Sequence, residues 1–373
     1  MKTRPGTDSM ESCKSEESVK TPVFSIGVPT YNRKDLLKQA LSSLLAQTFT
    51  DFEIIIGNDY PNETLSTDIL GIHDPRVRIV NHPRNLGELE NMNHLLGMAN
   101  GRYFTWQFDD DLCSPNLLKD VYSTLLKYDF PKAVFTSFLY IYGTSFHKFQ
   151  DGKNGQERLL SGREFLKKYL SGSLKALGCC GFYETDYLKS GGGVQRLTNG
   201  LMALHSEYLL LFNAGLLPEI AYIDNPLVSY RVHRNSWTIS NDELELFKQA
   251  GINLIRKSIE IFSTTELKED FQNNLTSILK LILGSVIGKN MQQNRKLDLP
   301  EIEKYVSAMT SEFHPLVGSP LYYSAVESLN AARKNIPRFI LKARLNMVLP
   351  APLFRYAHRI RIFLSRIPTS RSG

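Results

Sequence analysis

The chain has 373 residues, 42% of them hydrophobic and 22% charged, which is ordinary globular material and enough for a full-sized domain plus an appendage. No stretch reaches the roughly 18 to 20 uninterrupted apolar residues of a spanning helix, and "LKLILGSVIG" at 279–288 is too short. The formal net charge is a mild +6, and Cys13, Cys113, Cys179 and Cys180 lack the spacing of a disulfide framework or a zinc site, which points to a reduced, cytoplasmic setting.

The first twenty residues have no apolar core, so they read as a disordered tail and not as a signal peptide. Order begins at "VFSIGVPTYN", where Val23, Phe24, Ile26 and Val28 predict a buried strand ending at Pro29. "RKDLLKQALSSLLAQ" follows as a helix with Leu37, Leu41 and Leu44 on one face. "FEIIIGND" and "RVRIVNH" predict two more strands, and "ELENMNHLLGMANG" a helix closed by Gly101. "YFTWQFDDD" is a fourth strand, "PNLLKDVYSTLLKY" a helix and "AVFTSFLYIYG" a further strand. This alternation predicts an α/β fold, a Rossmann-like and mostly parallel sheet flanked by helices. From about residue 241 helical patterns take over. The expected division is therefore a tail at 1–20, a catalytic unit at 21–240 and a helical extension at 241–373.

Ligands of such sheets bind beyond the carboxyl ends of the strands. Thr30, Tyr31 and Asn32 follow the first strand, Asn58 and Asp59 the second, and Asp109, Asp110 and Asp111 the fourth. Three consecutive aspartates repel one another, so a strand end that carries them needs a positive partner. A solvated turn is the bland alternative, since "SPN" follows closely. The convergence of polar groups at the other strand ends favours a ligand site. Neither G-x-G-x-x-G after the first strand nor G-x-x-x-x-G-K-[ST] occurs, which removes the main support for a dinucleotide fold or a P-loop. A divalent cation with oxygen ligands would then balance both the carboxylates and a bound diphosphate.

"VPTYNR", "SLLAQTFTDFEIIIGND", "NLGELENMN", "ANGRYFTWQFDDD" and "SEYLLLFNAGLLPEIAYIDNPLVSYRVH" occur in that order from Val23 to about His233. This ordered set resembles the family-two glycosyltransferases of the GT-A fold. The resemblance implies an inverting transferase that uses a nucleotide-sugar donor and Mg²⁺ or Mn²⁺. It implies that Asp59 reads the nucleobase, with Pro29 and Tyr31 as the wall around it. Asp109 and Asp111 resemble the outer members of a DxD motif, holding ribose and metal respectively; the register leaves Asp110 open to either task. Arg231 pairs with phosphate and His233 approaches the metal in this picture. Glu207, in "ALHSEYLLL", stands where an aspartate base is commonest. Its other reading is a helix N-terminus, with Ser206 as cap and Glu207 at the positive dipole end.

Weaker signals remain open at this level. Asn85, Gly87, Asn91 and Asn93 suit either a donor site or loops and caps. Gly191, Gly192 and Gly193 suit a mobile lid or an ordinary connection. Trp106 reads as core, and Cys179 and Cys180 as buried inert thiols. Beyond Glu327 the chain has no acidic residue while basic ones continue to Arg371. There "APLFRYAHRIRIFLSRI" places Leu353, Ala357, Ile360, Leu364 and Ile367 on one face and Arg355, Arg359 and Arg366 on the other. Such a helix either lies at an anionic membrane surface or packs on the catalytic unit.

The expected function is transfer of a sugar to a saccharide or lipid-linked acceptor, in cell-surface polysaccharide or glycolipid synthesis, at the cytoplasmic side. A catalytically silent nucleotide-sugar-binding or scaffolding protein is the alternative. Nucleic acid is not an expected partner, because no binding module accompanies the basic tail.

Overall fold

The computed structural model describes residues 21–142, 149, 155–232 and 243–270, with scattered helical positions between 274 and 305. The expected N-terminal tail, His233 and the basic C-terminal helix lie outside the described residues. Among the described residues, no helix is long and apolar enough to cross a membrane.

The first half is built of alternating elements: β1 (Phe24–Thr30), α1 (Lys34–Leu45), β2 (Phe52–Asn58), α2 (Thr67–Leu70), β3 (Val77–Asn81), α3 (Glu88–Gly97) and β4 (Tyr103–Trp106). Then come β5 (Leu112–Cys113), α4 (Leu117–Lys127), β6 (Ala133–Tyr142), β7 (Glu157–Leu160), α5 (Gly162–Leu170), β8 (Phe182–Glu184) and α6 (Thr185–Ser190). α7 (Ser206–Ala214), β9 (Ile220–Val232) and α8 (Leu244–Thr264) follow. The strands form one sheet in the order β3-β2-β1-β4-β8-β6-β9-β5, with β7 paired to β9. Most paired residues run parallel, in β3–β2, β2–β1, β1–β4 and β6–β9; the short β4–β8, β6–β8, β5–β9 and β7–β9 pairings are antiparallel.

The period of two along β2 shows how the layers arise. Ile54 and Ile56 join Leu37, Leu41 and Leu44 of α1 and Val121 of α4 in the core on one face. Ile55 faces the other way, into a core with Leu95 of α3, Leu210 and Phe212 of α7, and Leu254 and Phe262 of α8. The segment after residue 240 therefore begins by sharing a core with α7.

One sequence expectation is corrected here. α3 ends at Gly97, with Met98 (φ −86°, ψ −5°) as its cap, so Gly101 does not close it. Gly101 is instead pressed on the start of β1, where an added Cβ would lie 2.5 Å from the Ser25 backbone nitrogen. Its missing side chain serves the close approach of two backbones.

Thr30 at the end of β1 is in register with Asn58 at the end of β2. Beyond β4, the Gln107 N–H donates to the Gly27 carbonyl, which continues the chain along β1. β1 and β2 thus end level, and β4 ends on the same side but earlier, at Trp106 opposite Gly27.

Candidate active site

The aspartate run turns immediately beyond β4. Asp109 has 0% exposure and accepts a hydrogen bond from the Thr30 hydroxyl at 2.7 Å. Its other oxygen lies 2.8 Å from Nη2 of Arg33, and Nη1 of that guanidinium is 3.0 Å from Asp110. Arg33 is therefore the positive partner that the aspartates require. Even so, burial outweighs Arg33 and pushes the Asp109 carboxyl up to about 7. Asp111 is raised too, by burial and then by the Asp110 charge.

Arg231 supports the loop from below. Its N–H donates to Asp111 at 2.8 Å, its Nε to the Asp110 carbonyl, and its Nη1 to Gln39 at 2.6 Å. Being 3% exposed, it holds the loop's shape, and it is not among the residues lining the two clefts described next.

A cleft of about 660 Å³ opens over the ends of β1 and β2. Pro29, Tyr31, Asp59, Asn85, Gly87 and Asn91 line it, together with residues 199–202. Asp59 accepts the Leu86 N–H at 2.7 Å and the Gly87 N–H at 2.8 Å, so it shapes the 85–87 loop as well as facing the cleft. Gly87 caps α3 at φ +88°, and an added Cβ would lie 2.5 Å from the Leu201 carbonyl oxygen. Only glycine allows both that backbone angle and that approach. Tyr31 is 45% exposed and meets Tyr60 edge to face at 5.3 Å, giving the cleft an aromatic rim.

A second cleft, of about 340 Å³, adjoins the first and shares Arg33, Glu88, Phe108 and Met202 with it. Asp110, Asp111 and Glu207 line it, with His205, Tyr208, Tyr230 and Phe247 among its other walls. Glu207 sits in the first turn of α7. Burial, then the Glu88 charge, raises its carboxyl to about 7, against a hydrogen bond from the Gly178 N–H. Ser206 does not cap this helix. The cap is His205, at φ +59° and with no side-chain cap bond, while Oγ of Ser206 is buried without a hydrogen-bond partner. The left-handed turn at His205 presents both His205 and Glu207 to the cleft. Burial lowers the His205 imidazole to about 4, so it is neutral near pH 7.

The donor set suits a hard divalent cation. Asp110 and Asp111 supply carboxylate oxygens at the cleft wall, and Oδ2 of Asp111 is buried without a hydrogen-bond partner. A metal that keeps waters and takes diphosphate oxygens needs only one or two protein carboxylates. Among the described residues no group of three or more His, Cys, Asp or Glu is arranged as a metal cage, consistent with a site completed by its ligand.

Pro29, Tyr31 and Asp59 thus meet in one cleft, and Asp110, Asp111 and Glu207 in its neighbour. Asp109 and Arg231 lie beneath. The site residues that the sequence marks too weakly are Arg33, which stands where "VPTYNR" meets the first helix, and Glu88, whose partner Ala203 is 115 residues away. Gly191–Gly193 terminate α6, with Gly192 and Gly193 at φ +79° and +63°; the chain over the first cleft is 199–202. Asn93 ties this region down through hydrogen bonds with both backbone groups of Val194. Trp106 is core, and Cys179 and Cys180 are buried thiols raised by burial.

Residues 25–189 match the family model for glycosyl transferase family 2. The chain is 34% identical over 99 residues to a protein of Escherichia coli (strain K12) named for colanic acid biosynthesis as glycosyl transferase WcaA, covering 26% of this chain and 36% of that one. It is 33% identical over 109 residues to the GalNAc(5)-diNAcBac-PP-undecaprenol beta-1,3-glucosyltransferase of Campylobacter jejuni, covering 28% and 34%. The matched region spans only about a third of the length of these two relatives. In structure, the chain is similar to S. aureus TarS 1–349 in complex with UDP-GlcNAc, at TM-score 0.48 and 16% identity over 87% of this chain and 92% of that one.

Proposed function

Starting from a chain whose residues 25–189 match the glycosyl transferase family 2 model, we propose that it transfers a sugar, with inversion, from a nucleoside diphosphate donor to an acceptor hydroxyl. The observation that carries this reading is the pair of adjoining clefts, with Asp59 in one, Asp110, Asp111 and Glu207 in the other, and Arg33 and Glu88 common to both.

The nucleoside lies in the larger cleft, its base between Pro29, Tyr31 and Asp59. The diphosphate lies at the junction, near Arg33 and the aspartate loop. Asp110 and Asp111 would hold Mg²⁺ or Mn²⁺, which when bound stabilises charge developing on the leaving diphosphate. Asp109 anchors the loop through Thr30 and Arg33, and Arg231 holds Asp111 in place from behind. His233 remains a candidate metal neighbour on the resemblance alone.

The acceptor hydroxyl enters the smaller cleft beside Glu207. Its oxygen bonds to the anomeric carbon as the bond from that carbon to the diphosphate oxygen breaks. The electron pair leaves with the diphosphate, and Glu207 takes the hydroxyl proton. A carboxyl near 7 is matched to that work at neutral pH. No covalent enzyme intermediate is needed. A base of this kind opposite the aspartates favours an enzyme over a silent binding protein.

The Campylobacter relative's name specifies a polyprenyl-diphosphate-linked saccharide, and an acceptor of that chemistry at the cytoplasmic face of a membrane is our reading for this chain. Calorimetric titration with UDP-, GDP- and dTDP-sugars, with and without Mn²⁺, tests the donor site. Binding that requires Mn²⁺ and disappears in Asp111→Ala supports it; absence of binding by every nucleotide sugar in both conditions overturns it.

A further inference from the structure

Between the nucleoside cleft and the base there is a short stretch of wall through which the donor's sugar must pass. Four residues belong to both clefts: Arg33, Glu88, Phe108 and Met202. Phe108 and Met202 are apolar, and Arg33 is held by Asp109 and Asp110. Glu88 is the remaining polar group. It is the first residue of α3, fixed in position by Gly87 before it. Its Oε2 accepts the Ala203 N–H at 2.9 Å, and Oε1 makes no hydrogen bond among the described residues. One oxygen therefore ties the 199–203 chain to α3, while the other is available to a ligand.

The charge around Glu88 is one-sided. Arg33 is the only lysine or arginine lining either cleft among the described residues, against Asp59, Glu88, Asp110, Asp111, Glu207 and Glu243. A bound cation and the donor's diphosphate largely neutralise each other, so the sugar still meets carboxylates. Such a surface accepts hydrogen bonds from hydroxyl groups and repels a carboxylate.

We propose that Glu88 is a specificity-determining residue that reads the donor's sugar, accepting a hydrogen bond from a sugar hydroxyl and excluding donors whose sugar is a uronate. The proposal rests on the donor-site reading above and adds a substrate class to it: neutral, hydroxyl-bearing hexosyl donors. Discrimination arises from repulsion as much as attraction, which is how a polar pocket separates sugars of equal size.

The test compares dissociation constants of two matched pairs, UDP-glucose with UDP-glucuronate and GDP-mannose with GDP-mannuronate, beside bare UDP and GDP, in the presence of Mn²⁺. In the unmodified chain the uronate of the pair that binds is expected to be weaker by roughly tenfold or more, the scale set by one like-charge contact. Glu88→Gln keeps an oxygen for the Ala203 N–H and removes the charge; Glu88→Ala removes both. Each is expected to bring the ratio, taken between two donors on the same variant, to within about threefold of unity, within the usual scatter of such contacts. An unmodified chain that binds hexose and uronate donors equally, or a Glu88→Gln ratio equal to that of the unmodified chain, overturns the proposal. If neither bare nucleotide binds the unmodified chain, the donor-site reading itself fails, and this inference with it.

Discussion

Arg33 places its guanidinium 2.8 Å from the fully buried Asp109, and its other terminal nitrogen 3.0 Å from Asp110. Arg33 comes from the turn after β1 and the aspartates from the turn after β4, so the pair joins two strand ends that are neighbours only in the sheet. Breaking a buried pair by removing one partner leaves an uncompensated charge, a loss of about 3 to 5 kcal/mol. Arg33 is partly exposed and Asp109, already raised to about 7, can take up a proton, so the loss falls at or below the lower end. Arg33→Met is expected to lower the denaturation midpoint strongly, and Arg33→Met/Asp109→Asn to recover most of the loss. A double variant no more stable than Arg33→Met would refute the pairing as a source of stability.

The buried carboxyls give the chain an unusual pH dependence. Asp109 and Glu207 are both raised to about 7, so the folded chain takes up protons that the unfolded chain releases at the ordinary values of 3.8 and 4.5. Folded-state uptake stabilises the fold below those ordinary values, and the contribution is lost as pH rises through about 7. In EDTA, melting temperature should therefore fall by about 2 °C or more per kcal/mol as pH rises from 5.5 to 8. Asp109→Asn should flatten that slope. A melting temperature that climbs over this range, alike in both proteins, contradicts the burial of these charges.

Glu207 acts as a base only when ionised, so turnover should fall as pH drops below about 7. Glu207→Gln should reduce kcat by roughly 10²- to 10⁴-fold, the range for a positioned general base, with nucleotide affinity unchanged. Retention of more than a tenth of kcat would assign the proton transfer to another group.

Gly178 shows how tightly that base is set. A Cβ there would lie 2.2 Å from the Glu207 carbonyl oxygen, and the neighbouring atoms are backbone, so α7 itself must shift. Gly178→Ala is expected to cost kcat by roughly 10²-fold, as a displacement of about 1 Å at a catalytic group does, with little change in donor affinity. Comparing kcat with the donor dissociation constant distinguishes this from general misfolding, which would degrade both.

Asp59→Asn swaps one carboxylate oxygen for an NH₂ that cannot accept the N–H of Leu86 or Gly87. Leaving one such group unpaired costs about 1 to 3 kcal/mol. Nucleotide binding is expected to weaken by about tenfold or more, since 1.4 kcal/mol is a tenfold change. Calorimetry showing undiminished affinity would remove Asp59 from the donor site.

Much of this was legible in the chain itself. The buried runs "FSIGVPT" and "FEIIIGN" became β1 and β2 because a strand covered on both faces must be apolar at nearly every position. The polar residues after Thr30, Asn58 and Trp106 could be gathered on one edge because parallel strands end on the same side. Short strands such as β5 and β8 carried no comparable signal, since two or three residues show no periodicity. Gly101 was misplaced because a glycine near a helix end and a glycine under a crossing strand look the same in one dimension.

What the sequence by itself determined is therefore the set of strands, their polar ends, and the three aspartates that demand a counter-charge. Local pattern is enough for these, because burial and like-charge repulsion act on neighbours in the chain. Tertiary structure alone decided that Asp109 and Asp111 are interior, that Arg33 answers Asp109, that Glu88 stands between two clefts, and that α8 brings Phe247 to the second of them. These are relations between groups dozens to more than a hundred residues apart, and packing and charge pairing depend on distance in space.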